Sequence, residues 1–134
     1  MNCKIKYLEK LSKNSDITHK HAAALIYNND IISTGINKYV SYNNLKQTIH
    51  AEINATINIK KIKKHNKISL DLIVIRSKNN ILKNSRPCNN CIDRLVKLKI
   101  RKVYYSNEYG LIVSEFVNNM EKIHISSATK YFTK

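Results

Sequence analysis

Apolar positions recur at helical spacing over residues 4–12, where Ile5, Tyr7, Leu8 and Leu11 share a face and lysines occupy the other. Asn14-Ser15-Asp16 ends that segment. Residues 21–27 (HAAALIY) read as a strand, Asn28-Asn29-Asp30 as a turn, and Ile31 to Thr34 as a second strand closed by Gly35. The two strands should pair as an antiparallel hairpin. Residues 38–49 are polar, carry Tyr39 and Tyr42, and are expected to form a loop. From His50 to Lys64 the pattern is helical again, with Ala51, Ala55, Ile59 and Ile62 on one face and Ile53 and Ile57 widening it. Five lysines fall within Lys60–Lys67, where cations suit the negative end of a helix.

The apolar run at residues 70–75 (LDLIVI) predicts a central strand, and residues 78–87 an irregular polar loop. Cys88 to Lys99 is a second amphipathic helix, with Ile92, Leu95 and Val96 on one face. Residues 101–105 (RKVYY) form a strand whose Tyr104 and Tyr105 point to opposite faces. The turn before the strand Leu111–Val113 is too short for a crossover helix, so that strand should run antiparallel to its predecessor. Residues 116–134 are weakly patterned. A strand–helix–strand unit implies a right-handed parallel crossover. The expected fold is α/β: three layers, α/β/α, around a mixed five-stranded sheet, with residues 1–134 as a single domain.

Composition changes this picture in three places. The chain has 134 residues and 43% hydrophobic residues, as suits one globular domain and not a disordered chain. Its longest apolar run is five residues, Ala22 to Ile26. That argues against a transmembrane helix or a secretory signal core, and for a cytoplasmic protein. The net charge is +15. It either attracts a phosphate-bearing substrate or is a solvated surface, since Ile, Lys and Asn together make up 58 residues, a bias typical of A/T-rich coding. Usual frequencies of ~7% Gly and ~5% Pro predict roughly nine and seven residues. Only two Gly and one Pro occur. Gly35, Gly110 and Pro87 should therefore sit where the backbone requires them.

The three cysteines, Cys3, Cys88 and Cys91, are an odd number, which argues against a disulfide framework. Cys3 has no neighbouring partner. Alone, the pair Cys88-x-x-Cys91 suits a redox couple, half a zinc site, or chance. Its context adds to it. His50-Ala51-Glu52 opens one predicted helix, and Pro87-Cys88-Asn89-Asn90-Cys91 opens the other, each after a loop that follows a strand. Two helix N-termini therefore meet at one edge of the sheet. A helix N-terminus stabilises thiolate, and thiolate is the form that binds zinc. Pro87 lacks an N–H, which costs little at a helix start. His50 supplies a neutral imidazole, and three protein ligands leave a fourth position for water, as in a catalytic zinc site. Glu52 can take a proton from that water and pass it to a leaving group. Positions two apart on a helix point roughly opposite ways, so His50 must sit at the frayed first position with Glu52 in the first turn.

HAE followed by PCxxC resembles the zinc-dependent cytidine and deoxycytidylate deaminase superfamily, over roughly residues 18–115. The resemblance implies that His50, Cys88 and Cys91 bind Zn²⁺ and that Glu52 is the catalytic proton shuttle. Gly35-Ile36-Asn37 resembles the family's G-x-N, whose Asn commonly contacts ribose; an ordinary turn asparagine is the alternative. Ser85-Arg86-Pro87 resembles the loop whose backbone faces the exocyclic amine, and Ala51 belongs to the same substrate-binding set. Arg86 would meet a phosphate or be a solvated loop residue. His19 and His21 lie near the first strand, either lining the pocket or at the surface; Tyr39, Tyr42, Tyr104 and Tyr105 are candidates to stack a base, with one of the last two in the core as the alternative.

The implied function is hydrolytic deamination of cytosine in a free nucleoside or nucleotide, namely cytidine, deoxycytidine or dCMP. Two competing readings are an editor of single-stranded DNA or RNA, including tRNA, and a noncatalytic zinc module. The intact Glu52 argues against the second. The lack of a separate nucleic-acid domain argues against the first. The short final hairpin resembles cytidine deaminases, whereas HAE is more typical of the nucleotide and nucleic-acid branches. The resemblance also implies a homo-oligomer, a dimer or tetramer, and gives no membrane role.

Overall fold

Pairs of adjacent asparagines close three hairpins in the computed structural model, which describes residues 1–62 and 68–122. Asn28-Asn29, Asn43-Asn44 and Asn79-Asn80 all have positive φ, between 49° and 68°. Two successive residues in that region make the type I′ turn, whose twist matches the flanking strands, and asparagine tolerates it better than other side-chain-bearing residues. The first turn joins β1 (Lys20–Tyr27) to β2 (Asp30–Ile36), the hairpin expected from sequence. The second joins β3 (Lys38–Tyr42) to β4 (Leu45–Ile49), where a loop was expected. The third extends β5 (Asp71–Lys78) into a short strand, β6 (Ile81–Lys83), inside the stretch expected to be irregular.

With β7 at Lys102–Ser106 and β8 at Ile112–Phe116, the main sheet runs β2-β1-β5-β7-β8, with β6 also paired to β5. It therefore has six strands, one more than expected. β7 (Lys102–Ser106) lies parallel to β5, and β8 (Ile112–Phe116) antiparallel to β7, as the connection lengths require. The crossover between β5 and β7 contains α4 (Asn89–Lys97).

Helices cover both faces of the sheet, which explains why β1 and β5 read as continuous apolar runs. Ala22, Ala24, Ile26, Ile73 and Ile75 pack on one face with Ile5 and Leu8 of α1 (Asn2–Ser12). Ala23, Leu25, Leu72, Val74 and Val103 face the other way, against Ala51 and Ala55 of α2 (Ala51–Thr56) and Ile92 and Leu95 of α4. Tyr105 joins that second core, and Tyr104 packs against the first.

The helix expected over His50–Lys64 is interrupted. α2 ends at Thr56, and a separate turn of helix, α3, covers Ile59–Ile62. The buried Thr56 hydroxyl donates to the carbonyls of Glu52 at 2.8 Å and Ile53 at 3.1 Å, and accepts from Arg94 Nε at 3.2 Å. Such back-bonding bends helices, and the run of β-branched residues around it adds little to hold them straight. Lys63, Lys64 and Lys67 of the lysine cluster lie outside the described residues. Among the described residues, no helix is long and apolar enough to cross a membrane.

Gly35 brings α2 onto β2. A Cβ built there would stand 2.4 Å from the Ala55 backbone nitrogen. Two side chains fix the contact: Asn54 Nδ2 donates to the Ile36 carbonyl at 3.0 Å, and Ser33 Oγ to the Ala55 carbonyl at 2.8 Å.

Candidate metal centre and active site

The N-termini of α2 and α4 converge, and each is capped by a residue with metal-binding chemistry. His50 is the N-cap of α2, with extended backbone, and Cys88 is the N-cap of α4. Cys91 follows in the first turn of α4. The possible ligand atoms of His50, Cys88 and Cys91 all lie within 4.8 Å of one another. His50 Nδ1 is 3.1 Å from Cys91 Sγ and 3.8 Å from Cys88 Sγ. His50 occupies the frayed position just outside the helix, and Glu52 stands in the first turn, the arrangement that the two-residue spacing demanded.

The two thiols are electrostatically unlike. The Cys91 hydrogen bond, opposed by burial and assisted by His50, brings Cys88 down to about 4. The same contact raises Cys91, and burial and the Glu52 charge push it further. The pair therefore carries one thiolate and one shared proton. Its hydrogen bond to Cys88 raises His50, against the effect of burial. One imidazole and two sulfurs, partly buried at two helix N-termini, form a donor set that fits Zn²⁺.

Beside this group lies a cavity of about 250 Å³. Asn37, His50, Ala51, Glu52, Ser85, Arg86 and Cys88 line it, so the residues singled out in the sequence come together. Pro87 is buried next to it, leading into α4. Glu52 is only 6% exposed and, among the described residues, makes no ion pair with Lys, Arg or His.

Three of the lining side chains are engaged by the protein. The Asn37 side-chain oxygen accepts from Ser15 Oγ at 2.7 Å and from the His21 N–H at 2.9 Å, while its nitrogen donates to the His19 carbonyl at 2.6 Å. Asn37 thus pins the segment before β1 to the cavity wall. Ser85 Oγ donates to the Val74 carbonyl at 2.8 Å and accepts from the Ser106 N–H at 2.9 Å. Arg86 Nε donates to Glu115 at 3.0 Å, and Nη2 donates to the Glu121 carbonyl at 2.8 Å. Arg86 is thus a loop clamp and not a solvated side chain. Glu115 also accepts from Tyr105; burial opposes its ionisation, but Tyr105 and Arg86 together hold it below the usual carboxylate range.

His19 and His21 also line the cavity, and burial lowers His21. Thr48 and Ile49, from the end of β4, complete one wall. Nothing in the apolar pattern singled them out. The Asn43-Asn44 turn was the available signal, because it returns the chain to the start of α2.

A family model described as the cytidine and deoxycytidylate deaminase zinc-binding region matches residues 3–107. The chain belongs to this family. Among curated proteins, no sequence matches it. Its fold is similar to that of cytidine deaminase from Burkholderia pseudomallei, at 15% identity and a TM-score of 0.67, over 92% of this chain and 98% of that one. It is also similar to dCMP deaminase from the cyanophage S-TIM5, solved in complex with dCMP and dUMP, at 22% identity and a TM-score of 0.58, over 81% of each chain. A third structure, a diaminohydroxyphosphoribosylaminopyrimidine deaminase/reductase from Thermotoga maritima, matches at 19% identity and a TM-score of 0.53. The match covers 78% of this chain and 28% of that one. The deaminase family and the α/β fold inferred from HAE and PCxxC are thus borne out.

Proposed function

We propose that this chain hydrolyses the cytosine base of a free nucleoside or nucleotide (cytidine, deoxycytidine or dCMP) to uracil, releasing ammonia. The carrying observation is Glu52: a buried carboxylate, without an ion pair among the described residues, on the wall of the cavity that His50 and Cys88 also line. A merely structural metal site has no use for it.

His50, Cys88 and Cys91 would hold the zinc. When bound, the ion supplies a Lewis acid that lowers the pKa of water at its open position. Glu52 accepts a proton from the attacking water as the new C4–O bond forms, and delivers it to ring N3. It then carries the water's second proton to the exocyclic nitrogen, so that the C4–N bond breaks with departure of neutral ammonia. Burial suits this shuttling, because it raises the strength of each contact and excludes bulk water.

The remaining cavity residues position the base. Ala51 sits in the first turn of α2, whose N–H groups have no intrahelical acceptor. The backbone of Ser85, Arg86 and Pro87 would face the exocyclic amine, its path fixed by the Ser85–Ser106 and Arg86–Glu115 contacts. Asn37 shapes the sugar side of the cavity. A volume of about 250 Å³ lies just below the roughly 300–1,000 Å³ usual for ligand pockets, which supports a small ligand.

The test is ammonia release, with uracil formation in equal amount, from cytidine, deoxycytidine, CMP and dCMP by zinc-loaded protein. Turnover of at least one of them is expected. Absence of turnover on all four, with zinc bound, would overturn the proposed reaction.

A further inference from the structure

The loop that carries Cys88 into α4 has few anchors of its own. Ser85 ties its start to the end of β7, its N–H donating to the Ser106 carbonyl at 2.8 Å. Beyond that point the backbone offers little. The Arg86 N–H meets the side chain of Asn84, two residues back, at 3.1 Å, and Pro87 has no N–H to give. The placing of residues 86–88 therefore falls to the Arg86 side chain. Its Nε donates to Glu115 Oε2 at 3.0 Å and its Nη2 to the Glu121 carbonyl at 2.8 Å, which ties it to β8 and to the segment after β8. Both tethers stand beyond residue 107, where the match to the zinc-binding region ends.

Glu115 is well placed to hold that guanidinium. In the pairing of β7 with β8 it lies directly across from Val103, which belongs to the core beneath α2 and α4. The carboxylate thus stands on the side of the sheet where α4 packs. The Tyr105 hydroxyl donates to the same oxygen that Arg86 reaches, and so fixes the carboxylate from the neighbouring strand. The Arg86 side chain is only 14% exposed, so its charge depends on protein acceptors. Its Nη1 is buried and already lacks a partner among the described residues. Removal of Glu115 would leave Nε unmatched as well, and a buried charged donor without an acceptor is costly. The side chain would turn towards solvent, and Pro87 and Cys88 would shift with it.

We propose that Glu115 is a positioning residue for the metal centre. Acting through Arg86, it holds Cys88 where a zinc ligand must stand, and it holds the loop backbone where the exocyclic amine would leave. Glu115 does not line the cavity, so its effect is indirect. The part that concerns the amine rests on the deamination reaction proposed above; the part that concerns Cys88 does not.

The test measures zinc affinity by competition with a chromophoric chelator. It compares the wild type with Glu115→Ala, Glu115→Gln, Arg86→Lys and the double variant Glu115→Ala/Arg86→Lys. Groups that orient metal ligands typically contribute about 10–100-fold, so Glu115→Ala should weaken zinc binding at least about tenfold. Glu115→Gln keeps an acceptor oxygen without the charge, and should recover part of that loss. Lysine is a point charge that cannot span both the Glu115 carboxylate and the Glu121 carbonyl, so Arg86→Lys should cost about tenfold too. The double variant should bind zinc no more weakly than the worse single one, because the two residues act as a unit. With zinc saturating, kcat and kcat/KM should fall together by about tenfold or more, with KM nearly unchanged, as for a contact made in the transition state.

Melting curves of the apoprotein check that each variant is folded at the assay temperature. If Glu115→Ala is not, Arg86→Lys carries the test at the same threshold. A loss of zinc affinity under about tenfold in the variant that carries the test overturns the inference, whatever the turnover. So does an additive loss in the double variant, since independent residues add. A rise in KM with kcat unchanged overturns the role at the amine. If the zinc-loaded wild type releases ammonia from no cytosine compound, the reaction itself is wrong, and zinc affinity alone decides about Glu115.

Discussion

At the scale of single residues, side-chain chemistry separates two kinds of group at one cavity. In the proposed reaction, His50, Cys88 and Cys91 would hold the metal and Glu52 would move protons. Replacing Glu52 by Gln preserves shape and removes the proton acceptor. The variant should keep its zinc and lose about 10²–10⁴-fold in kcat, the usual contribution of a general acid–base group. Metal analysis alongside an ammonia assay checks this; a loss under about tenfold would remove Glu52 from the mechanism. The thiols respond differently. Cys88 is already ionised near neutral pH, whereas Cys91 retains its proton, through its contact with Cys88, burial and the Glu52 charge. Zinc must displace that proton. Zinc affinity should therefore rise with pH through the neutral range, with measurable proton release on loading apoprotein. Cys88→Ala or Cys91→Ala should lose both metal and turnover, while Cys3→Ser should lose neither. These four residues were legible in the sequence because their chemistry depends on short local spacings. Thr48 and Ile49 on the cavity wall were not, because only the pairing of β3 with β4 returns the chain to that point.

Among the secondary-structure elements, the site depends on how α2 is seated. Gly35 leaves no room for a side chain beneath Ala55 and Asn54. Gly35→Ala should push α2 off β2 and shift both His50 and Glu52. A stability loss of about 1–3 kcal/mol, the range for overpacked positions, should accompany a fall in kcat, read by thermal melting and by turnover. The opposite change should help at the end of α4. Lys99 adopts φ 59° there, a left-handed conformation that glycine meets at little cost. Lys99→Gly should stabilise the fold by about 1 kcal/mol, without altering zinc content. An unchanged or lower melting temperature would contradict the strain. The sequence disclosed β1, β5, α4 and β7 because buried elements carry dense apolar patterns. It concealed β3 and β4 because their side chains are mostly exposed, as in KYVSY and LKQTI, and show little alternation. Their Asn-Asn turn was the only strong mark. The break after α2 was concealed for another reason: Thr56 meets Arg94 across the core.

For the molecule as a whole, the layered sheet brings the N-termini of α2 and α4 to one small cavity, in a chain of net charge +15. The charge left open a phosphate-bearing substrate or a solvated surface; the proposed reaction takes a free nucleoside or nucleotide, and a polymer is the competing reading. Salt separates the two. A protein that neutralises six to ten phosphates loses about 10³–10⁵-fold in affinity between 50 and 200 mM salt, whereas one phosphate contact gives a shallow dependence. The decisive measurement is therefore deamination of dCMP against that of a cytosine-containing single-stranded oligonucleotide, by zinc-loaded protein, across that salt range. Faster turnover of dCMP, with kcat/KM falling by less than about tenfold, is the result predicted here. Faster deamination of the oligonucleotide, with a steep decline as salt rises, would contradict the account and make the basic surface the substrate-binding face.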